Sequence, residues 1–478
     1  MTTRLPDYLT NMLTLADIIE CLTGWWPTHV TQPISHVVID SRQAQPGDLF
    51  VALKGERADG HDFVHEAFSR GAVAALVERD VPVEGEVTDL HQGVTVTQVS
   101  LPVCLRVDNV LTALQDLSGY WRAKFDVRVI GITGSVGKTS TKELVWTVLS
   151  QRFNTLRSVG NLNNEIGVPL TLLQIEPGHQ RIVLEMGMYA RGEITRLCEL
   201  ARPVVGVVTN VGPVHLERLG SVEAIAQAKA ELVEALPPDG VAILNYDEPL
   251  VRRMATRCKS HVMFYGLDSQ ADLWADEIES EGIEGISFQM HYNDENLHVH
   301  VPLLGRHSVH TVLRAAAVGL AEGMAWDDIL TGLQDRQAQI RLVAVPGPNG
   351  STILDDTYNA SPASTIAALN LLAELGGRKI AVLGDMLELG SYEEEGHRIV
   401  GRRAMDVADT LIAVGSRGRI IGEEALSLGM APDRVCLCDD NSAAIECLLG
   451  TIRPGDYVLI KGSRGMQMEE IVAVIAKG

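Results

Sequence analysis

Short apolar runs that end in polar residues recur along the chain, at residues 127–132, 182–185 and 204–210. Stretches with helical spacing of apolar positions separate these runs. Buried strands that alternate with helices are typical of parallel βαβ units. The pattern therefore predicts an α/β fold with a central parallel sheet.

The same pattern divides the 478 residues into three predicted domains, which is the usual number for this length. Residues 1–126 form the first, with strands at 49–53 and 73–77 around a helix at 63–70. Residues 127–340 form a central mononucleotide-binding domain. Residues 341–478 form a Rossmann-like domain whose first helix begins at Ser361-Pro362. No dinucleotide glycine spacing follows its strand at 380–383, which argues against NAD.

Residues 260–303 instead alternate between apolar and polar positions, which predicts an antiparallel hairpin insertion with a turn at 293–296. Its histidines, His291, His298 and His300, could form a metal cluster. Alternation alone also places them on the polar side of a half-exposed strand, and we favour this interpretation.

Composition restricts the function. A net charge of −22 argues against nucleic acid as a partner. No apolar stretch is long enough to span a membrane, and the first residues lack a signal-peptide core. Seven scattered cysteines fit a reducing compartment. Cys436 and Cys438 are expected on one face of a strand rather than on a metal. We expect a soluble, cytoplasmic protein, by default a monomer.

A glycine-rich loop carries the strongest chemical signal. It follows the strand at 127–132 and opens a helix, which is the setting of a phosphate-binding loop. Glycines let successive backbone N–H groups turn towards phosphate, and the helix N-terminus adds positive potential. Lys138 would reach the β- and γ-phosphates of ATP, and the Thr139 hydroxyl would bind Mg²⁺. The predicted ATP-binding residues here are Thr133, Gly134, Ser135, Val136, Gly137, Lys138, Thr139 and Ser140.

Two further residues have competing interpretations. Glu185 ends an apolar strand, where it could hold Mg²⁺ or be an ordinary surface carboxylate. Lys229 lies on the apolar stripe of a helix that Ser221 could cap. A buried lysine is costly unless it is paired or modified, whereas a lysine at the edge of the stripe would extend to solvent.

These segments resemble the Mur ligase family of peptidoglycan synthesis over nearly the whole chain. The central matches are at 133–140, 185–188, 209–215 and 226–231. Further matches at 160–170, 355–362, 383–390 and 461–465 imply that the amine substrate is D-alanyl-D-alanine. The segment at 40–50 resembles the family's UDP-sugar-binding domain.

The resemblance implies roles for individual residues. Thr139 and Glu185 would bind one Mg²⁺, and His215 with an N6-carboxylated Lys229 would bind another. Arg341, Asp356, Tyr358 and Asn359 would close onto ATP from the third domain. The implied catalytic residues are Lys138, Lys229, His215 and Arg341. The implied substrate-binding residues are Asp40, Ser41, Arg42, Asn161, Asn163, Asn164, Lys461 and Arg464. Residues 305–311 depart from the family's Gly-x-His-Asn pattern and lack its adenine-contacting asparagines.

The implied reaction is ATP-dependent ligation of D-alanyl-D-alanine to UDP-N-acetylmuramoyl-tripeptide through an acyl phosphate. Diaminopimelate and lysine both stay open as the third peptide residue. One alternative is a nucleotide-dependent switch, but no asparagine precedes a lysine, so a guanine-reading Asn-Lys-x-Asp segment is absent from the sequence. A second is a neighbouring ligase, either the tripeptide-forming enzyme or folylpolyglutamate synthase. The sequence lacks the Asp-Asn-Pro-Arg segment expected of the tripeptide-forming enzyme.

Overall fold

The computed structural model describes residues 12–55, 58–83, 85–213, 216–335 and 342–476. His215 and Arg341 lie outside these ranges. Two compact units are present. The first contains residues up to Ile130, Phe153–Gly187 and Glu193–Pro203, and the second contains Gly131–Arg152, Met188–Gly192 and the chain from Val204 onwards. The predicted domain boundaries stay predictions. No helix in the described ranges is both long and apolar enough to cross a membrane.

The amino-terminal segment forms a five-stranded sheet in the order β1-β2-β3-β5-β4, with every neighbouring pair parallel. Its strands are β1 (Val37–Val38), β2 (Leu49–Val51), β3 (Ala74–Val77), β4 (Glu86–Asp89) and β5 (Val103–Arg106). Its helices are α1 (Leu15–Thr23), α2 (Val64–Ser69) and α3 (Val110–Arg122). Phe50, Val64 and Ala75 are buried in one cluster, so the predicted strand–helix–strand unit is confirmed.

The central segment alternates strands and helices, as predicted. Its strands are β6 (Arg128–Thr133), β7 (Thr155–Arg157), β8 (Arg181–Glu185), β9 (Val205–Val208), β10 (Val241–Asn245), β11 (His261–Gly266), β12 (Leu273–Ser280), β13 (Ile286–Tyr292) and β14 (Glu295–Val301). Its helices are α4 (Lys138–Ser150), α5 (Gly167–Leu172), α6 (Glu193–Ala201), α7 (Leu216–Leu219), α8 (Val222–Glu234), α9 (Pro249–Arg252), α10 (Val309–Ala321) and α11 (Trp326–Leu333).

Seven of these strands are neighbours in the order β14-β13-β12-β11-β10-β9-β6. In the first unit, β7 pairs in parallel with β8. The hairpin prediction holds for β13 and β14, which are antiparallel. It is wrong for the start of the segment, because β11 pairs in parallel with β10 and extends the parallel sheet. The predicted turn is also too long, since Glu295 and Asn296 already pair within β14.

The histidines of this region have separate partners. His291 contacts Asp276 at 2.8 Å, and the ring of His298 lies opposite Gln289. His300 Nδ1 lies 3.2 Å from Ser287 Oγ. Within the described ranges no group of three His, Cys, Asp or Glu side chains could hold a metal ion.

The carboxy-terminal segment forms a six-stranded sheet in the order β15-β16-β20-β17-β18-β19, parallel except for β15. Its strands are β15 (Val343–Pro346), β16 (Thr352–Asp356), β17 (Lys379–Gly384), β18 (Thr410–Val414), β19 (Val435–Cys438) and β20 (Tyr457–Lys461). Its helices are α12 (Pro362–Glu374), α13 (Glu393–Val407), α14 (Gly415–Ser427), α15 (Asn441–Thr451) and α16 (Glu469–Ile475).

The capping predictions are confirmed. Ser361 caps α12, with Pro362 in its first turn, and the Ser221 hydroxyl accepts a hydrogen bond from Ala224 at the start of α8. Cys436 and Cys438 lie two apart on β19, and their sulfur atoms are 3.6 Å apart. Each face of the carboxy-terminal sheet packs against a buried apolar cluster. Polar residues therefore lie at the strand ends rather than on the faces.

Candidate active site

The glycine-rich loop joins β6 to α4, as predicted. Gly137 is the N-cap of α4 with φ +82°, and the helix begins without a side-chain cap. The first N–H groups of a helix have no partner within it, so they and the helix dipole favour an anion at this end. Lys138 Nζ donates to the Gly134 carbonyl at 2.8 Å, which holds the ammonium over the loop.

Asn210, just beyond β9, braces the loop. Its carbonyl accepts a hydrogen bond from the Ser135 N–H at 3.0 Å. Its side chain accepts from the Val136 N–H at 2.9 Å and donates to the Val136 carbonyl at 3.1 Å. In this structure the Ser135 and Val136 amides therefore bond to Asn210, and their contact with phosphate stays a prediction.

The loop also passes very close to Thr209. A Cβ atom on Gly134 would lie 1.8 Å from Thr209 Oγ1, and φ at Gly134 is +148°. The Thr209 hydroxyl donates to the Val136 carbonyl at 2.7 Å. Only glycine fits at position 134, for reasons of both space and backbone conformation.

Lys229 is buried on α8, with 3% of its surface exposed. So small an exposed fraction excludes the alternative in which the Lys229 side chain extends to solvent. Burial lowers the pKa of Lys229 well below its usual value, and the nearby charge of Lys138 lowers it further. Both causes favour the neutral amine, which is the form that reacts with CO₂.

Glu185 lies at the end of β8, in the first unit, and is 2% exposed. It accepts a hydrogen bond from the Asn163 amide at 2.8 Å, and its own N–H donates to Ser158 Oγ at 3.3 Å. An ordinary surface carboxylate is therefore excluded. Two other predicted substrate residues, Asn161 and Asn164, are exposed, and Asn164 accepts a hydrogen bond from the Gly167 N–H at 2.9 Å at the start of α5.

In the carboxy-terminal segment the structure brings together residues predicted for ATP and for substrate. Lys461 Nζ donates to Asp356 Oδ2 at 2.5 Å and to the Asn359 carbonyl at 2.9 Å. Lys461 is 2% exposed and Asp356 9%, so the ion pair is buried. The Arg464 guanidinium lies 5.9 Å from the ring centroid of Tyr358. Asp356 and Lys461 are the last residues of β16 and β20, which are adjacent and parallel, and the others follow these strands.

Polar side chains in residues 305–311, the segment that departs from the family pattern, form hydrogen bonds within the protein. Ser308 Oγ donates to the Leu304 carbonyl at 2.7 Å, and His310 Nε2 lies 2.9 Å from Asp247 Oδ2. Thr311 Oγ1 accepts from Arg314 at 3.0 Å.

A separate cavity of about 590 Å³ lies in the amino-terminal segment. Arg42 and Arg70 both line it, together with His36 and Asp48. Asp40 holds the Arg42 side chain through contacts of 2.9 and 2.7 Å, and this ion pair lowers the pKa of Asp40. Ser41 is buried and donates to Glu66 at 2.7 Å, so it supports the turn rather than facing the cavity.

Sequence reasoning missed Arg70 and the bracing role of Asn210. Arg70 ends a short helix, and nothing in its local sequence distinguishes it from other surface arginines. Asn210 follows a parallel strand next to that of the glycine-rich loop. This position was a usable signal, because the carboxyl ends of neighbouring parallel strands meet at one edge of the sheet.

A glycine-rich loop between a parallel strand and a helix, followed by a second, mostly parallel α/β sheet, is typical of nucleotide-binding α/β enzymes. Residues 132–319 match the Mur ligase middle domain, 340–464 the Mur ligase glutamate ligase domain, and 33–117 the Mur ligase family catalytic domain. The chain belongs to the Mur ligase family. It is an ATP-dependent amide-forming ligase with the three-domain α/β fold of that family.

Among its relatives are proteins named UDP-N-acetylmuramoyl-tripeptide–D-alanyl-D-alanine ligase. The Bacillus subtilis protein is 38% identical over 96% of this chain and 97% of its own length. The Escherichia coli protein is 36% identical over 92% and 93%. A crystal structure of MurF from Acinetobacter baumannii matches with a TM-score of 0.84 at 31% identity, covering 98% of this chain and 100% of that one. MurF ligase from Thermotoga maritima, solved with ADP, has a TM-score of 0.77 at 27% identity, covering 92% and 97%.

Proposed function

We propose that this ligase joins the free carboxylate of UDP-N-acetylmuramoyl-tripeptide to the amine of D-alanyl-D-alanine. The observation that carries the proposal is the match to ligases of that name at 36–38% identity over more than nine-tenths of the chain. Because this step acts on a UDP-linked precursor, we assign it to the cytoplasm.

The chemistry requires activation because a carboxylate is a poor acyl donor. A carboxylate oxygen attacks the γ-phosphorus of ATP, and the bond to the β-phosphate oxygen breaks, which yields ADP and an acyl phosphate. The dipeptide amine then attacks the acyl carbon, phosphate leaves, and the amine loses a proton. Lys138, at the start of α4, would offset the charge of the transferring phosphoryl group.

Magnesium prefers oxygen ligands and would neutralise phosphate charge. We propose Thr139 and Glu185 as oxygen ligands of one Mg²⁺, and a carboxylated Lys229 together with the nitrogen ligand His215 for a second Mg²⁺. The burial of Lys229 and its lowered pKa fit this assignment, because addition of CO₂ to the neutral amine with loss of one proton gives a carbamate anion. An unmodified ammonium there would repel the metal.

The amino-terminal cavity suits the UDP part of the substrate. Arg42 and Arg70 place two guanidinium groups at its wall, and guanidinium is well matched to diphosphate oxygens. Asp40 orients Arg42 through two contacts, which fixes one of these donors before substrate arrives.

The decisive experiment measures ADP formation with each substrate omitted in turn, and identifies the product by mass spectrometry. Both UDP-N-acetylmuramoyl-tripeptide and D-alanyl-D-alanine should be required. L-alanyl-L-alanine serves as the matched amine control, and tripeptides ending in diaminopimelate and in lysine are compared. Full ADP formation without the dipeptide would indicate a regulatory ATPase instead.

A further inference from the structure

Arg314 is a buried arginine of α10 that the mechanism above does not use. It is 5% exposed. Its Nε donates to the His310 carbonyl at 2.8 Å, and its Nη2 donates to Thr311 Oγ1 at 3.0 Å. Its Nη1 is buried and has no hydrogen-bond partner among the residues that the structure describes. The side chain is thus held in place with one donor left over.

This donor lies beside the turn that begins α4. A Cβ atom added to Gly137 would lie 3.3 Å from Arg314 Nη1, 3.6 Å from Nη2 and 3.9 Å from Cζ. Gly137 immediately precedes Lys138. The guanidinium therefore packs against the glycine that opens the phosphate-binding helix, and a side chain at position 137 would press on it.

The charge of Arg314 is also uncompensated. Within the described ranges no carboxylate forms an ion pair with it, and the ring centroid of Tyr265 lies 5.7 Å from its Cζ. Burial raises the pKa of Tyr265 to about 12, so this phenol is neutral at physiological pH. Its hydroxyl donates to the Thr209 carbonyl at 3.1 Å. A buried cation without an anion is costly, and such a group indicates that an anion binds nearby.

We propose that Arg314 is a nucleotide-binding residue whose Nη1 donates to an oxygen of the phosphate chain held at the start of α4. This inference rests on the proposed function only in taking that loop as the ATP site. A bound phosphate chain would supply both the missing acceptor and the missing negative charge. The Ser135 and Val136 amides are already bonded to Asn210, so a side-chain donor at this position would contribute more to phosphate binding.

The test compares Arg314→Met and Arg314→Lys with the wild-type protein by calorimetric titration. Arg253→Met, at an exposed arginine of the same unit, is the matched control. Three probes are used in the absence of ligase substrates: MgADP, inorganic pyrophosphate and adenosine. Pyrophosphate contains the phosphate chain without the base, and adenosine contains the base without phosphate.

Arg314→Met should weaken ADP and pyrophosphate by about tenfold to a hundredfold, the usual effect of one charged hydrogen bond, and leave adenosine unchanged. Arg314→Lys should lose less affinity for ADP and pyrophosphate, because lysine keeps the positive charge but lacks the planar guanidinium with its several donors. Unchanged ADP binding, or an equal loss for adenosine, would overturn the proposal. The second result would mean that Arg314 contacts the base.

Thermal melting separates binding from a merely structural role. Without nucleotide, Arg314→Met should melt no lower than wild type, because methionine removes the buried charge at similar volume. The rise in melting temperature on adding ADP should shrink. A large loss of stability without nucleotide, with the same rise on adding ADP, would show that Arg314 serves only the fold. These measurements need no ligation, so failure of the ligation assay would leave this result interpretable.

Discussion

The positive charge of Lys138 lowers the pKa of Lys229, adding to the larger effect of burial. The two lysines lie on different helices of one unit, α4 and α8. One is suited to phosphate as an ammonium, and its charge favours in the other the neutral amine, the form that can attack CO₂. Two nearby lysines can therefore have different roles, Lys138 as a cation and Lys229 as a neutral amine.

Lys229→Ala should nearly abolish ligation, because it removes the carbamate that would bind Mg²⁺. Acetate should restore part of the activity by supplying a carboxylate in the vacated space. Lys259→Ala, at an exposed lysine, should behave as wild type with and without acetate. Native mass spectrometry should detect the carboxyl adduct on Lys229. Full activity of the unmodified enzyme in CO₂-free buffer would refute the assignment.

Gly134→Ala should abolish ADP formation while the protein stays folded. The added methyl group would lie 1.8 Å from Thr209 Oγ1, so the loop would have to move. Gly429→Ala is the matched control, since Gly429 also has positive φ, +104°, but an added Cβ there has no neighbour within 4 Å. Equal activity of the two variants would contradict the predicted effect of the clash with Thr209.

Arg42→Ala should raise KM for UDP-N-acetylmuramoyl-tripeptide about tenfold, the effect of losing one charged hydrogen bond, with little change in kcat or in KM for ATP. Arg79→Ala, in the same unit but outside the cavity, is the control. Steady-state kinetics with each substrate varied in turn checks this prediction. A rise confined to the ATP KM would contradict the assignment of the cavity to the UDP-sugar.

Lys461→Met should lower the free energy of unfolding by about 3–5 kcal/mol, because it leaves the Asp356 carboxylate buried without its cation. Adding Asp356→Asn in the same chain should recover part of this loss. The exposed Arg419–Asp439 pair provides a control, where Arg419→Met should cost at most about 1 kcal/mol. Urea unfolding measures all variants. Additive losses in the Lys461 and Asp356 double variant would contradict a coupled pair.

His397 should make stability depend on pH. It is fully buried, its Nε2 accepts from the Met386 N–H at 3.0 Å, and its Nδ1 donates to the Glu393 carbonyl at 2.7 Å. Burial lowers its pKa more than the neighbouring carboxylates raise it. The unfolded chain therefore binds the proton more readily, and the folded state loses stability as the pH falls below about 6.5.

Urea unfolding at pH 8 and pH 5 checks this dependence. His397→Gln should show a smaller loss of stability between the two values than wild type. The exposed His261→Gln is the control and should leave the difference unchanged. A loss in His397→Gln as large as in wild type would assign the pH dependence to other groups.

Local signals predicted much of the fold. Ser361 with Pro362 fixed the start of α12, and a strand followed by glycines and Lys138 located the phosphate loop. These features depend on a few consecutive residues, so the sequence displays them directly.

Long-range contacts explain what the sequence did not show. The partners Lys461 and Asp356 are 105 positions apart, and they meet only because β20 pairs with β16. The strand β11 was misassigned because its pairing with β10 depends on sheet order and not on its own pattern. Arg314 has no local motif. Its proposed role follows from its contact with Gly137, which is distant in the sequence but adjacent in the fold.

The three hydrogen bonds that join Asn210 to Ser135 and Val136 have a consequence for turnover. They shape the loop through contacts within the protein itself. A loop braced in this way would leave an incoming ATP little backbone to order. The conformation of the loop would then depend on Asn210 and not on a bound nucleotide.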